Sequence, residues 1–144
     1  MKQKSLPGWT TKIDEISNGV FKVTLIDKYG RKAEIIDDAT NETIERTLSE
    51  AFDIEKQVSK NWNKFLYDFC FSRFTDNSIT SNSYNDKDFG SWLIEVNDKR
   101  LLFLGKVSWL VSQTKSNNEW FDNFIIKDKE LNYKTVDLFL NQLQ

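Results

Sequence analysis

Twenty-two carboxylates, one thiol and no imidazole define the chemistry open to this 144-residue chain. Histidine is the commonest general base, the commonest metal ligand and the side chain that titrates nearest neutral pH. Its absence excludes the serine, cysteine and metal chemistries that lean on imidazole. Cys70, in Phe69-Cys70-Phe71-Ser72, lies on or beside an apolar helical face. A reactive thiolate needs a neighbouring base or cation, and although Arg73 is close in sequence, the expectation is a buried, inert thiol. Gly8, Gly19, Gly30, Gly90 and Gly105 are too scattered for a Walker loop or a dinucleotide fingerprint, which need clustered glycines to bring backbone to phosphate. Asp88-Phe89-Gly90 spells the metal-binding triplet of protein kinases, without the Gly-rich or catalytic loops that triplet works with. Counting Asp86 as the first residue of a calcium loop puts Gly90 fifth and Asn97 twelfth, where a bidentate carboxylate is needed. Asn85-Asp86-Lys87-Asp88 therefore reads as a solvated loop. No carboxylate pair of glycosidase type stands out among so many acids. The expectation is a non-enzyme with no metal and no cofactor.

One charge feature exceeds this background. Between Glu34 and Glu55 lie Glu34, Asp37, Asp38, Glu42, Glu45, Glu50, Asp53 and Glu55 against the single base Arg46, a net of −7 over 22 residues. One account is a helix start that favours carboxylates plus a solvated outer face. The other is a recognition surface for a basic protein partner, since clustered charge speeds encounter and fixes orientation. On that second account the candidate partner-binding residues are Glu42, Glu45, Glu50, Asp53 and Glu55, with Asp86 and Asp88 from the polar segment 75–91. The aromatic content of 14%, with Lys60-Asn61-Trp62-Asn63-Lys64-Phe65 as the best basic-aromatic stretch, invites a base-stacking reading. A net charge of −2 lacks the basic excess that phosphate binding needs, and Trp62 and Phe65 fall on a core stripe, so no nucleic-acid partner is expected.

The elements that position these residues follow from hydrophobic period. Over 9–36 the period is 2, with Phe21, Val23 and Leu25 on one strand face and Lys22 and Thr24 on the other. Ser17-Asn18-Gly19 and Asp27-Lys28-Tyr29-Gly30 each end in the glycine a tight turn needs, which predicts strands near 9–16, 20–27 and 31–36. From Asn41 the period becomes 3.6, with Ile44, Leu48, Ala51, Val58, Trp62, Phe65 and Phe69 on one stripe, predicting a helix over about 41–73. Asp38, Thr40 or Asn41 supplies its N-cap. That length favours a kink or break around 59–63.

Residues 75–91 are polar and aperiodic and read as a loop. Strands return at 92–96, 101–104, 107–112 and 120–126, and Val136, Phe139, Leu140 and Leu143 mark a last helix over about 133–143. The order β-β-β-α-loop-β-β-β-β-α, with short turns between strands, predicts a mainly antiparallel sheet with the long helix and the C-terminal helix packed on it. This is an α+β fold in a single domain over 1–144.

A lone cysteine argues for a reducing compartment, here the cytoplasm, and no export signal or membrane-spanning run is visible. Sixteen of the 20 basic residues are Lys and 13 residues are Asn, a bias expected of an AT-rich bacterial or phage genome.

Trp9, Ile16-Ser17-Asn18-Gly19-Val20 and Asp27 to Gly30 in a hairpin are followed by Ala51-Phe52-Asp53-Ile54-Glu55-Lys56 and Trp62-Asn63-Lys64-Phe65-Leu66 on a long helix. This pattern, over most of the chain, resembles the immunity proteins of bacterial polymorphic and contact-dependent toxin systems. The resemblance implies a one-to-one inhibitor that blocks a cytosol-acting toxin, often a basic nuclease, through a charged surface. It carries over no individual contact residue; the acids at 42–55 and the segment 75–91 are singled out on physical grounds alone. The alternatives are an adaptor or scaffold subunit, with exposed Trp and Phe of the second group of strands forming an interface, and a phage inhibitor of a host defence enzyme.

Overall fold

Two turns, each closed by a glycine at positive φ, fold the first strands into a meander. A computed structural model describes residues 4–38, 40–58 and 60–143. The chain divides into two compact units, 1–60 and 61–144. In the first, β1 (Trp9–Ser17), β2 (Val20–Asp27) and β3 (Lys32–Asp37) form an antiparallel sheet in the order β1-β2-β3. Ile13 lies opposite Val23, and Leu25 opposite Ala33. The second turn is built by Asp27, whose backbone N–H donates to Arg31 O at 3.0 Å while Gly30, at φ +84°, donates back to Asp27 O at 3.2 Å. The Asp27 carboxylate fixes the same turn by accepting the backbone N–H groups of Tyr29 and Arg31 at 2.9 and 2.8 Å.

Helix α1 (Asn41–Val58) packs on β2 and β3. Its first turn is capped by Thr40, whose hydroxyl accepts the Thr43 N–H at 3.4 Å, and Asp38 accepts the Thr40 and Thr43 hydroxyls at 2.8 and 3.1 Å. Leu48, Ala51 and Phe52 are fully buried, as are Val23 and Leu25 of β2. Burial of each such Leu or Phe contributes about 1.5–3 kcal/mol.

In the second unit, α2 (Trp62–Ser72) precedes five strands: β4 (Ser81–Asn85), β5 (Ser91–Val96), β6 (Lys99–Leu104), β7 (Trp109–Ser116) and β8 (Glu119–Ile126). They form one antiparallel meander in sequence order, closed by α3 (Tyr133–Leu143). Both helices lie on one face. Tyr67 of α2 meets Trp92 edge-on at 5.5 Å, Phe139 of α3 meets Phe124 at 6.4 Å, and Phe69 meets Tyr133 at 5.9 Å. Arg73, just past α2, holds Asp137 of α3 at 2.6 Å. Alternation sends Trp92, Ile94, Leu101, Phe103 and Leu110 to this face, all at 3% exposure or less. A reciprocal cap starts α3: Asn132 Oδ1 accepts the Thr135 N–H at 3.0 Å, and the Asn132 N–H donates to Thr135 Oγ1 at 3.2 Å.

The α+β class and the antiparallel pairing follow the sequence, with three departures. The strands form two sheets instead of one. The long helix is two helices, interrupted within the 59–63 window at Asn61, whose φ of −110° and ψ of 35° are not helical. Segment 75–91 is not one loop: it contains a single 3-10 turn at Asp76–Ser78 and the edge strand β4, whose Ser81 and Asn85 pair with Glu95 and Ser91. An edge strand of polar residues with only Tyr84 half-buried carries no alternation for sequence reasoning to find.

Candidate protein-binding surface

Helical geometry decides which acids α1 presents together. At 100° per residue, Glu42, Asp53 and Glu50 fall within an arc of about 80°, and Glu42 and Asp53 lie about 16 Å apart along the axis. All three are exposed. None makes an ion pair with a described residue.

The remaining acids of the 34–55 run have partners. Glu34 takes Lys32 and Lys22 across the sheet at 3.2 and 3.9 Å, Asp37 takes Arg46 at 2.9 Å, and Glu45 takes Lys4 at 3.0 Å. Hydroxyl bonds from Thr40 and then Thr43 hold the Asp38 carboxyl below its ordinary value. The dense sequence charge thus resolves into a small set of uncompensated carboxylates on one rigid helix face.

Glu55 has a different role. It is 6% exposed, and its Oε1 accepts the Trp9 indole N–H at 2.9 Å and an Arg31 N–H at 3.1 Å. Arg31 also bonds Asp27 through Nε, and its guanidinium lies 5.7 Å from the Trp9 ring centroid. Asp27 is 8% exposed. Burial pushes its carboxyl up, but the hydrogen bonds from Arg31 and Tyr29 outweigh this and hold it below the ordinary range. Trp9, Asp27, Arg31 and Glu55 therefore fasten the start of β1, the β2–β3 turn and the end of α1 to one another. Glu55, placed among the partner-binding candidates by sequence reasoning, faces this internal network and not solvent. The Asp27-x-x-Gly30 turn was the sequence signal for part of it, whereas the long-range pairing left none.

Asp86 and Asp88 are exposed in the β4–β5 turn of the second unit. Asp88 shapes that turn, its N–H donating to Asn85 O at 3.2 Å and its carbonyl accepting the Ser91 N–H at 2.9 Å. The Asp86 charge adds to burial in pushing the nearby Tyr84 phenol up. Beside this turn, Asn63 donates to Phe89 O at 2.7 Å, and a Cβ on Gly105 would come within 2.0 Å of that same carbonyl oxygen.

The face of the second sheet opposite its helices has its own pattern. Leu93, Leu102, Val111 and Ile125 stand in register across β5 to β8. A polar row runs beside them, in which Arg100 Nε donates to Gln113 Oε1 and Gln113 Nε2 to Asp122 Oδ1, each at 2.6 Å. Arg100 lies over Trp120 at 4.2 Å and Lys127 over Trp109 at 5.1 Å. Ile125 and Leu104 are each 41% exposed. Of the Trp and Phe of these strands that sequence reasoning expected to be exposed, Phe121 and Phe124 are exposed, and register places them on the helix-bearing face.

Cys70 is fully buried, and burial pushes its thiol far above the ordinary range. Among the described residues no group of three or more Cys, Asp or Glu is placed to hold a metal ion, and no helix is long and apolar enough to cross a membrane. Comparison with known protein families, characterised proteins and solved structures finds no match to this chain.

Proposed function

We propose that the protein works by binding, as an immunity protein that neutralises a cognate bacterial toxin through direct contact. The observation that supports this most is the arc of Glu42, Glu50 and Asp53. These are three exposed carboxylates without ion-pair partners, on a helix whose opposite face is fixed by Leu48, Ala51 and Phe52. Groups held on a rigid element lose little freedom on docking, and a single-sign cluster steers a basic partner into register. The occupant of the arc is a basic toxin domain; Asp86 and Asp88 are a separate exposed acidic pair within the unit 61–144.

The test is the association rate with the product of the neighbouring toxin gene, measured across salt concentrations. The rate falls steeply as salt rises if the arc steers the encounter, and replacing Glu42, Glu50 and Asp53 with Gln or Asn flattens that dependence. A rate indifferent to salt overturns the assignment of the arc. It would favour the second reading, an adaptor subunit acting through the half-buried Leu93 and Leu102 and the exposed Ile125, because apolar docking is nearly blind to ionic strength.

A further inference from the structure

Ser112 is 2% exposed and its hydroxyl makes no hydrogen bond with a described residue. The hydroxyl is not sealed in the core: it keeps enough accessible surface to offer a hydrogen bond to whatever occupies the space beside it. Around it the helix-bearing face is apolar: Ser112 stands opposite Leu101 and Phe124, two residues from Leu110. It lines a cleft of about 170 Å³.

The walls of that cleft are of two kinds. Phe124, Phe139 and Leu143 form an apolar side, with the two rings edge to face. The polar side is created by the irregular register of β7 and β8 at Ser112/Gln113, where Asn123 is the residue left without an opposite number. A bulge of this kind turns a side chain to the other face. Asn123 Nδ2 donates to Thr114 Oγ1, which leaves the Thr114 hydroxyl hydrogen free to donate elsewhere. Directly across the ladder from Thr114 stands Lys99, exposed and without an ion-pair partner among the described residues. Among the described residues no Asp or Glu lines the cleft.

We propose that this cleft binds a small organic carboxylate. The ligand's apolar body lies against Phe124 and Phe139, and its carboxylate accepts from Ser112, Thr114 and the Lys99 ammonium. An ammonium and two hydroxyl donors, with no acid among the described lining residues, select an anion over a neutral or cationic group. The volume suits a single six-membered ring, since an apolar cavity of about 150 Å³ takes up benzene. The site belongs wholly to the unit 61–144 and does not depend on the acidic arc of α1.

The experiment is a titration of the full chain with sodium benzoate, followed by amide chemical shifts, with benzamide as the neutral isostere. Benzoate is expected to saturate shifts at Ser112, Thr114, Asn123 and Phe124 with a Kd on the order of 1 mM, as nine heavy atoms allow. Benzamide is expected to bind about tenfold more weakly or not at all. Lys99→Gln, at an exposed position that leaves the fold unchanged, should erase the preference for benzoate. Ser112→Ala should weaken benzoate several-fold with an otherwise unaltered spectrum. No saturable shift, equal binding of benzamide, shifts confined to another surface, or indifference to Lys99→Gln would each overturn the proposal.

Discussion

Replacing Glu55 with Ala separates the acids that hold the fold from those that face outward. Its Oε1 accepts two hydrogen bonds, from Trp9 Nε1 at 2.9 Å and Arg31 at 3.1 Å, in a residue 6% exposed. Truncation strands the buried indole N–H, which costs about 1 kcal/mol or more. It also removes one of the two carboxylates of Arg31, and breaking a buried ion pair costs about 3–5 kcal/mol. The Arg31 side chain is 25% exposed and keeps Asp27, so water and that second carboxylate recover part of the loss. The expected destabilisation is about 3 kcal/mol. Glu55→Gln retains an acceptor for Trp9 and should lose about half as much. Asp53→Ala, two residues away on the exposed face, should stay within about 0.5 kcal/mol of the parent. Urea unfolding followed by far-ultraviolet circular dichroism reads all three midpoints. If Glu55→Ala unfolds with the parent, or Asp53→Ala costs as much as Glu55→Ala, the division of these acids into structural and presented sets fails.

Asp27 supplies a pH dependence. Its carboxyl is held below the ordinary value of 3.8, so its bonds stabilise the folded state above that value and are lost as pH falls further toward the folded-state value. Stability measured from pH 5 down to 2 should decline, and Asp27→Asn should lower the neutral-pH value while flattening the decline. Gly105→Ala would drive a methyl group to 2.0 Å from Phe89 O, a backbone atom that cannot swing aside, so a loss of about 2 kcal/mol or more is expected in thermal melts. Asp137→Ala removes the 2.6 Å partner of Arg73, whose side chain is only 13% exposed, and should cost about 3 kcal/mol by denaturant titration. Cys70 should remain unmodified by a thiol reagent at pH 8 in the folded protein and react promptly in denaturant, because burial suppresses its thiolate.

Strand β2 and helices α1 and α3 were legible because each buries one face and so imprints its period on the chain, whereas β1, which buries only Trp9, was placed by the glycine turn that precedes β2. The β2–β3 turn was legible for a related reason, as Asp27 and Gly30 are chosen by backbone geometry. Strand β4 was not legible, since Ser81, Asn82 and Ser83 are exposed on both faces of an edge. The stripe of apolar residues continues through Val58, Trp62 and Phe65, which hides the interruption that gives the chain two units. The weak helix formers Val58, Ser59 and Asn61 were the available hint. Among the acids, local order predicted a solvated cluster. The pairings that select Glu42, Glu50 and Asp53 reach across the unit, as with Lys4 and Glu45 or Arg31 and Glu55, and no local pattern encodes them.

Growth of a test bacterium expressing the adjacent reading frame tests the binding account most directly, with this chain supplied either as the parent or as the Glu42→Lys, Glu50→Lys, Asp53→Lys variant. The account predicts that the neighbour is toxic, that the parent chain restores growth, and that the equally well-folded triple variant does not. Rescue by the variant as complete as by the parent would contradict the assignment of the α1 arc, and a toxic neighbour untouched by the parent chain would contradict the immunity reading itself.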